Sequence, residues 1–280
     1  MTFALVLVSA FLHAAWNALI KREPNKDHAL IAAAGIGALF GLAVAIVRGV
    51  SSGVAPFPTH LSLEWSLLAG AFEQAYFFTL ARALDKGPLG PVYTISRGGA
   101  VLLVYPLSVL LFAEPLTALS IAGSVIVLTG LVVPEWLGRH GAVPLPRRAT
   151  LWAVLCACCI AAYHLAYKAA LQAGGASSAV FAVSMLFASL INFVRTDRPA
   201  VVAYVKRKSL IALSTGVLCG ASFLMVIEAL ANGGTGFVLT LRNTSVLFAV
   251  LLARAIGEKP RLATTAGAIL VALGAVVMSL

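Results

Sequence analysis

ALDKGPLGPVYT, residues 83–94, returns as ALANGGTGFVLT, residues 229–240, inside a chain that is otherwise almost wholly apolar. Gly87, Gly90, Val92 and Thr94 of the first copy stand in one register with Gly233, Gly236, Val238 and Thr240 of the second. Beyond them FAEPL (residues 112–116) is answered by IGEKP (residues 256–260), and Ala122, Gly123, Val127 and Gly130 by Ala266, Gly267, Val271 and Gly274. Upstream, HAAWN at residues 13–17 resembles HLAYK at residues 164–168. The chain is a duplicated unit, and its fold follows from what that unit contains.

Of 280 residues, 61% are hydrophobic and only 11% charged, with a mean hydropathy of +0.99. That balance excludes an ordinary soluble domain and reads as a multi-pass, all-α membrane protein. Cutting the apolar runs where charge, Pro and Gly cluster gives ten predicted transmembrane segments, near residues 3–21, 29–48, 63–84, 91–113, 116–134, 150–171, 177–195, 209–231, 235–256 and 261–280. Residues 1–134 form the first five-helix repeat, EWLGRHGAVPLPRRA (residues 135–149) the linker loop, and residues 150–280 the second repeat. Units with an odd number of crossings enter the membrane from opposite sides, so the copies are expected to be inverted. Duplicated apolar units of this kind are the sequence mark of a transporter.

The net charge of +10 does not point to nucleic acid. Of the 20 Lys and Arg, Arg97, Lys168 and Arg242 lie inside apolar segments and Arg48 in an even-numbered loop; all the others fall in odd-numbered loops. The positive-inside rule puts those loops in the cytoplasm against anionic lipid, and both termini outside. The first apolar run lacks a basic leader, contains His13 and Asn17, and runs on into KREPNKD; it reads as a membrane helix rather than a signal peptide. Cys156, Cys158, Cys159 and Cys219 show neither CxxC nor Cys/His spacing, so no metal and no cofactor is expected. GALFG (residues 37–41) and GVLCG (residues 216–220) are GxxxG patterns, suited to helix packing within the chain or to a dimer face.

An ionisable side chain at mid-membrane costs roughly 2.5–3.5 kcal/mol even on the lenient insertion scale, so each is a functional hypothesis. Glu73, Arg97, His164, Lys168 and Arg242 are such groups. His13, Trp16 and Asn17 share one helical face, and His164, Tyr167 and Lys168 repeat the arrangement. Glu73, Tyr76 and Phe77 share another face, as do Tyr93, Ser96 and Arg97; Arg242 and Asn243 take the positions of Ser96 and Arg97 in the second copy. Blander readings stand beside these: Trp16 and Tyr93 as interfacial aromatics, Lys168 as a snorkelling cation, the histidines as neutral core imidazoles, Glu228 as a structural charge near a helix end. The SRGG run (residues 96–99) predicts a helix weakened by two glycines and Pro106, either unwound or merely bent.

With its ten segments, its five-helix repeat, HAAWNALIK in the first segment and the turn motifs FAEPL and IGEKP, the chain resembles the EamA-domain families of the drug/metabolite transporter superfamily, over nearly all of its length. The resemblance implies a central cavity between the repeats, lined by the first, third, fourth, sixth, eighth and ninth segments, in a multi-pass protein of the bacterial inner membrane. It also implies export of small organic solutes by alternating access, amino acids among them, with multidrug export as the alternative and both termini in the cytoplasm in many relatives. On that reading a substrate carboxylate meets Arg97, Arg242 or Lys168, its ammonium meets Glu73, and its side chain meets Trp16, Tyr76, Phe77, Tyr163 and Tyr167, with Asn17, Tyr93, Ser96, His164 and Asn243 completing the lining. Glu73, His13 and His164 are the proton-coupling candidates. The expected partners are a small-molecule substrate and the lipid bilayer, for a monomer or a homodimer. No HExxH, close carboxylate pair or Cys/His ligand set suggests an enzyme; a structural membrane subunit is the rival from another class.

Overall fold

Apolar runs of about 20 residues satisfy their backbone amides in lipid by forming helices, and the described apolar runs do so. The computed structural model describes residues 2–87, 92, 94–137, 146–255 and 262–279. The described helices are α1 (Thr2–Lys21), α2 (Lys26–Ser52), α3 (His60–Lys86), a π-helical turn (Thr94–Gly98) running into α4 (Gly99–Phe112), α5 (Ala118–Leu137), α6 (Arg147–Gln172), α7 (Ser177–Arg195), α8 (Arg198–Arg207), α9 (Ser209–Asn232), α10 (Thr235–Arg242), α11 (Ser245–Ala255) and α12 (Leu262–Ser279).

Seven helical stretches among the described residues are long and apolar enough to cross a membrane: Thr2–Ile20, Lys26–Ser52, Ile95–Phe112, Arg147–Gln172, Ser177–Arg195, Ser209–Asn232 and Thr235–Ala255. Ala118–Val133 and Leu262–Met278 are shorter apolar helices. α3 has the length but carries Glu64, Glu73, Gln74, Arg82 and Asp85, which lower its hydropathy. Leucines and valines such as Leu39, Val50, Leu102, Leu110 and Leu262 are exposed, as a lipid-facing surface requires.

Two departures from the sequence expectation are local. α8 occupies a stretch read as loop: Asp197 caps it by accepting from the Ala200 amide, Pro199 sits in its first turn, and Lys206 and Arg207 complete its last turn. The ninth predicted segment is broken: Asn243 and Thr244 donate their amides to Thr240 and Leu241, three residues back, and this tightened turn separates α10 from α11. The weakness expected at SRGG takes the form of the π turn, a local widening of the helix rather than an unwound stretch.

The chain forms two compact units, one of Met1–Gln74 with Ala166–Asn232, the other of Ala75–Leu165 with Gly233–Leu280. Each draws on both sequence halves, and α3 and α6 contribute residues to both.

In the first unit α1 is fastened to α9 by a reciprocal pair: Ser9 Oγ donates to the Ser222 carbonyl at 2.7 Å and Ser222 Oγ to the Ser9 carbonyl at 2.9 Å. The two GxxxG patterns pack on each other; a Cβ at Gly37 would stand 3.1 Å from the Gly216 carbonyl oxygen and 3.2 Å from the Gly220 nitrogen. Gly70 lets α3 reach α7, where a Cβ would come within 2.5 Å of the Ser184 carbonyl oxygen.

In the second unit α5 and α12 cross through small residues. A Cβ on Gly123 would lie 2.6 Å from the Gly274 carbonyl oxygen, and one on Gly130 would lie 2.6 Å from that of Gly267. The pairs run in opposite order along the two helices, so these helices are antiparallel.

Candidate functional site

Among the described residues, the polar side chains that the sequence singles out are buried or half-buried, and they fall into two groups, one in each unit.

In the first unit Glu73 on α3 is wholly buried. The Tyr167 hydroxyl on α6 donates to its Oε2 at 2.8 Å and lies 3.0 Å from Ser184 Oγ on α7. Ser184 also donates to the Phe181 carbonyl at 3.0 Å. Each hydroxyl has one proton, so Ser184 can supply its own to Phe181 or to Tyr167, while Tyr167 directs its proton at the carboxylate. Tyr167 and Ser184 are as buried as Glu73. The sequence assigned Tyr167 to an aromatic lining and missed Ser184 altogether; a serine in an apolar helix gives no hint of which neighbour it will meet.

The same unit holds the HAAWN face. His13 and Trp16 meet edge to face at 5.3 Å, with Phe223 at 6.4 Å from the imidazole. Trp16 is 5% exposed, and its indole N–H has no hydrogen-bond partner among the described residues, which leaves a buried donor available. Asn17 turns back on its own helix and donates to the His13 carbonyl at 2.7 Å. Lys168 is half-buried and donates to the Leu230 carbonyl at 2.8 Å, so its ammonium satisfies one of the last carbonyls of α9, the end of a helix where a cation is favoured.

In the second unit the aromatics cluster. Tyr76 lies 5.0 Å from Phe77 and 5.9 Å from Tyr163, and Tyr163 stacks on His164 at 4.3 Å. His164 is 1% exposed; its Nδ1 lies 2.8 Å from the Ile160 carbonyl. A carbonyl accepts only from a protonated nitrogen, so Nδ1 carries the proton and Nε2 is left as an acceptor with no partner among the described residues. Arg242 and Arg97 both lie within electrostatic reach of this imidazole. Arg242 is 2% exposed at the end of α10; Arg97, in the π turn, is half-buried. The positions equivalent in the repeat thus carry the two helix irregularities and the two arginines together. Ser96 donates to the Val92 carbonyl at 2.8 Å, and Asn243 to the Leu239 carbonyl at 3.3 Å. Tyr93 lies outside the described residues.

Two carboxylates escape this set, Glu23 buried and Glu114 half-buried. Glu23 pairs with Lys208 at 2.7 Å beside a cavity of about 390 Å³; burial, and then the Glu23 charge, push the Tyr204 hydroxyl in that cavity above 10.0. Glu114 accepts from Thr235 at the start of α10. Among the described residues no group of three or more His, Cys, Asp or Glu is gathered to hold a metal ion, and the four cysteines are free thiols.

No curated protein matches the chain. A solved crystal structure superposes on it with a TM-score of 0.73 at 22% identity, over 100% of this chain and 96% of its own, a likeness that shows the fold. Residues 147–280 match the model of the EamA-like transporter family, so the second half of this multi-pass membrane chain is similar to a family of membrane transporters over nearly its whole length.

Proposed function

We propose that the protein is a secondary transporter that moves small organic metabolites, amino acids foremost, out of a bacterial cell through the inner membrane by alternating access. The observation that carries the reading is the burial of Glu73 in the first unit and of Arg242 in the second, 0% and 2% exposed. A carboxylate and a guanidinium so buried are expensive to keep without a role, and a carrier of charged solutes gives each one, the first in taking up a proton and the second in meeting a solute's carboxylate. Tyr76 and Tyr163, in the same unit as Arg242, offer apolar faces for the solute's side chain. Arg242 is the group for a solute's carboxylate, and Glu73 or one of His13 and His164 carries the coupling proton. The repeat supports two access states: Gly123 is equivalent to Gly267 and Gly130 to Gly274, yet Gly123 meets Gly274 and Gly130 meets Gly267, the exchange of partners that a two-fold relation between inverted copies demands.

A buried carboxylate such as Glu73 also suits a lipophilic cation, and one experiment separates the two readings. Purified protein is screened by thermal shift against amino acids, nucleosides and cationic drugs, and the best ligand is followed by flux into liposomes. Stabilisation by aromatic or neutral amino acids upholds the proposal; stabilisation by lipophilic cations alone replaces it with multidrug export.

A further inference from the structure

We propose that Glu114 is a positioning residue for Arg242, acting through the short helix α10. Glu114 belongs to the FAEPL motif, for which the transport reading has no other use. α4 ends at Ala113, whose φ of 51° puts a non-glycine residue in the left-handed region while its amide closes on the Val109 carbonyl at 3.1 Å. The next side chain is Glu114, and both of its oxygens face the start of α10. The Thr235 amide donates to them at 2.8 and 2.6 Å, and Thr235 Oγ1 donates to Oε1 at 2.7 Å.

α10 has no cap of its own. Its N-cap residue is Gly234, which offers no side chain, so the carboxylate of a distant segment does the work an N-cap Asp or Ser usually does, with a full negative charge at the positive end of the helix. The fit is close: a Cβ on Gly234 would lie 3.2 Å from Glu114 Oε2. The helix body is pressed flat on the same segment, since a Cβ on Gly236 would lie 2.6 Å from the Tyr105 ring of α4. Glu114 and Tyr105 therefore tie α10 to α4 at its first turn. Only eight residues long, α10 spans about 10 Å from that anchor to Arg242, and the Asn243–Thr244 turn separates it from α11. Short helices are marginal on their own, so the orientation of the Arg242 guanidinium depends on the clamp.

This inference rests on the reading of Arg242 as a substrate group, and the test separates the two. Hydrogen exchange by mass spectrometry is measured on full-length protein in nanodiscs for wild type, Glu114→Ala and Glu114→Gln. The expected result is at least tenfold faster exchange confined to residues 235–243 in Glu114→Ala, with most of the protection restored in Glu114→Gln, whose amide oxygen still accepts. Unchanged exchange in α10, or an equal rise in α4 and α12, overturns the clamp. Phenylalanine counterflow in proteoliposomes is then compared for Glu114→Ala, Arg242→Gln and the double variant. If Glu114 acts through Arg242, the double variant is no worse than Arg242→Gln; additive losses overturn the positioning role. If wild type moves no phenylalanine, the amino-acid reading falls, and the exchange result alone decides Glu114.

Discussion

A carboxylate with no exposed surface persists in a membrane helix only where something donates to it, and for Glu73 that donor includes the Tyr167 hydroxyl. Tyr167→Phe removes the donor and keeps the ring, so the expected loss is about 1–3 kcal/mol, the cost of an acceptor left short inside a dry interior, read as a lowered melting temperature in detergent. Glu73→Gln should be tolerated better, because an amide still accepts from Tyr167, but it should abolish flux that depends on an imposed proton gradient; unchanged flux removes Glu73 as the proton carrier. Two ion pairs among the described residues separate on the same logic. Arg48–Glu228 is 53% and 30% exposed, so Arg48→Ala costs about 0–1 kcal/mol. In Lys208–Glu23 the carboxylate is 4% exposed, and Lys208→Ala leaves it buried and unneutralised, at a cost of about 3 kcal/mol. Tyr204 beside Glu23 sets an alkaline limit. Its hydroxyl titrates higher folded than unfolded, so the unfolded chain releases its proton first, and stability, unaffected below about 10, falls as pH rises past it. Tyr204→Phe should flatten that fall in a melting-temperature profile. At this scale the sequence was readable for burial and blind to partners. Glu73 and Arg242 announce themselves as charges in apolar runs, whereas the bond from Lys168 to the Leu230 carbonyl and the return of Asn17 to its own helix depend on neighbours that one-dimensional spacing does not reveal.

Glycine placement decides which helices touch. Gly130 stands where a Cβ would collide with the backbone of α12, whereas Gly35 on α2 has nothing within 4 Å. Gly130→Leu should lower stability by about 3 kcal/mol or prevent folding, and Gly35→Leu should leave the melting temperature nearly unchanged, since its new side chain meets lipid. Equal effects from the two would mean that α5 and α12 do not meet as described. The helical runs were legible because apolar length is a strong signal. α8 was not, since ten residues with Lys and Arg look like a loop until the Asp197 cap and Pro199 are read as a helix start. The turn between α10 and α11 was hidden for the opposite reason: apolar runs lie beyond it on both sides, and only the short polar run RNTS, residues 242–245, marks it.

At the scale of the whole chain, the duplication visible in ALDKGPLGPVYT and ALANGGTGFVLT does not coincide with the compact units, each of which takes residues from both halves. Repeats are a property of sequence and units a property of contacts; helices from both copies meet in each unit, as with α1 and α9 through Ser9 and Ser222. The charge distribution carries a separate prediction. With nearly all Lys and Arg in odd-numbered loops, a C-terminal alkaline phosphatase fusion should be active outside the cytoplasm, and activity only of a cytoplasmic reporter would reverse the orientation. The central claim is that buried charge in this chain serves passage of a small organic solute. Its most direct test is counterflow: proteoliposomes loaded with unlabelled L-phenylalanine are diluted into labelled L-phenylalanine. The account predicts transient, saturable accumulation that is reduced but measurable in Arg242→Gln; label no higher than in protein-free liposomes, for every ligand that stabilises the folded protein, would contradict it.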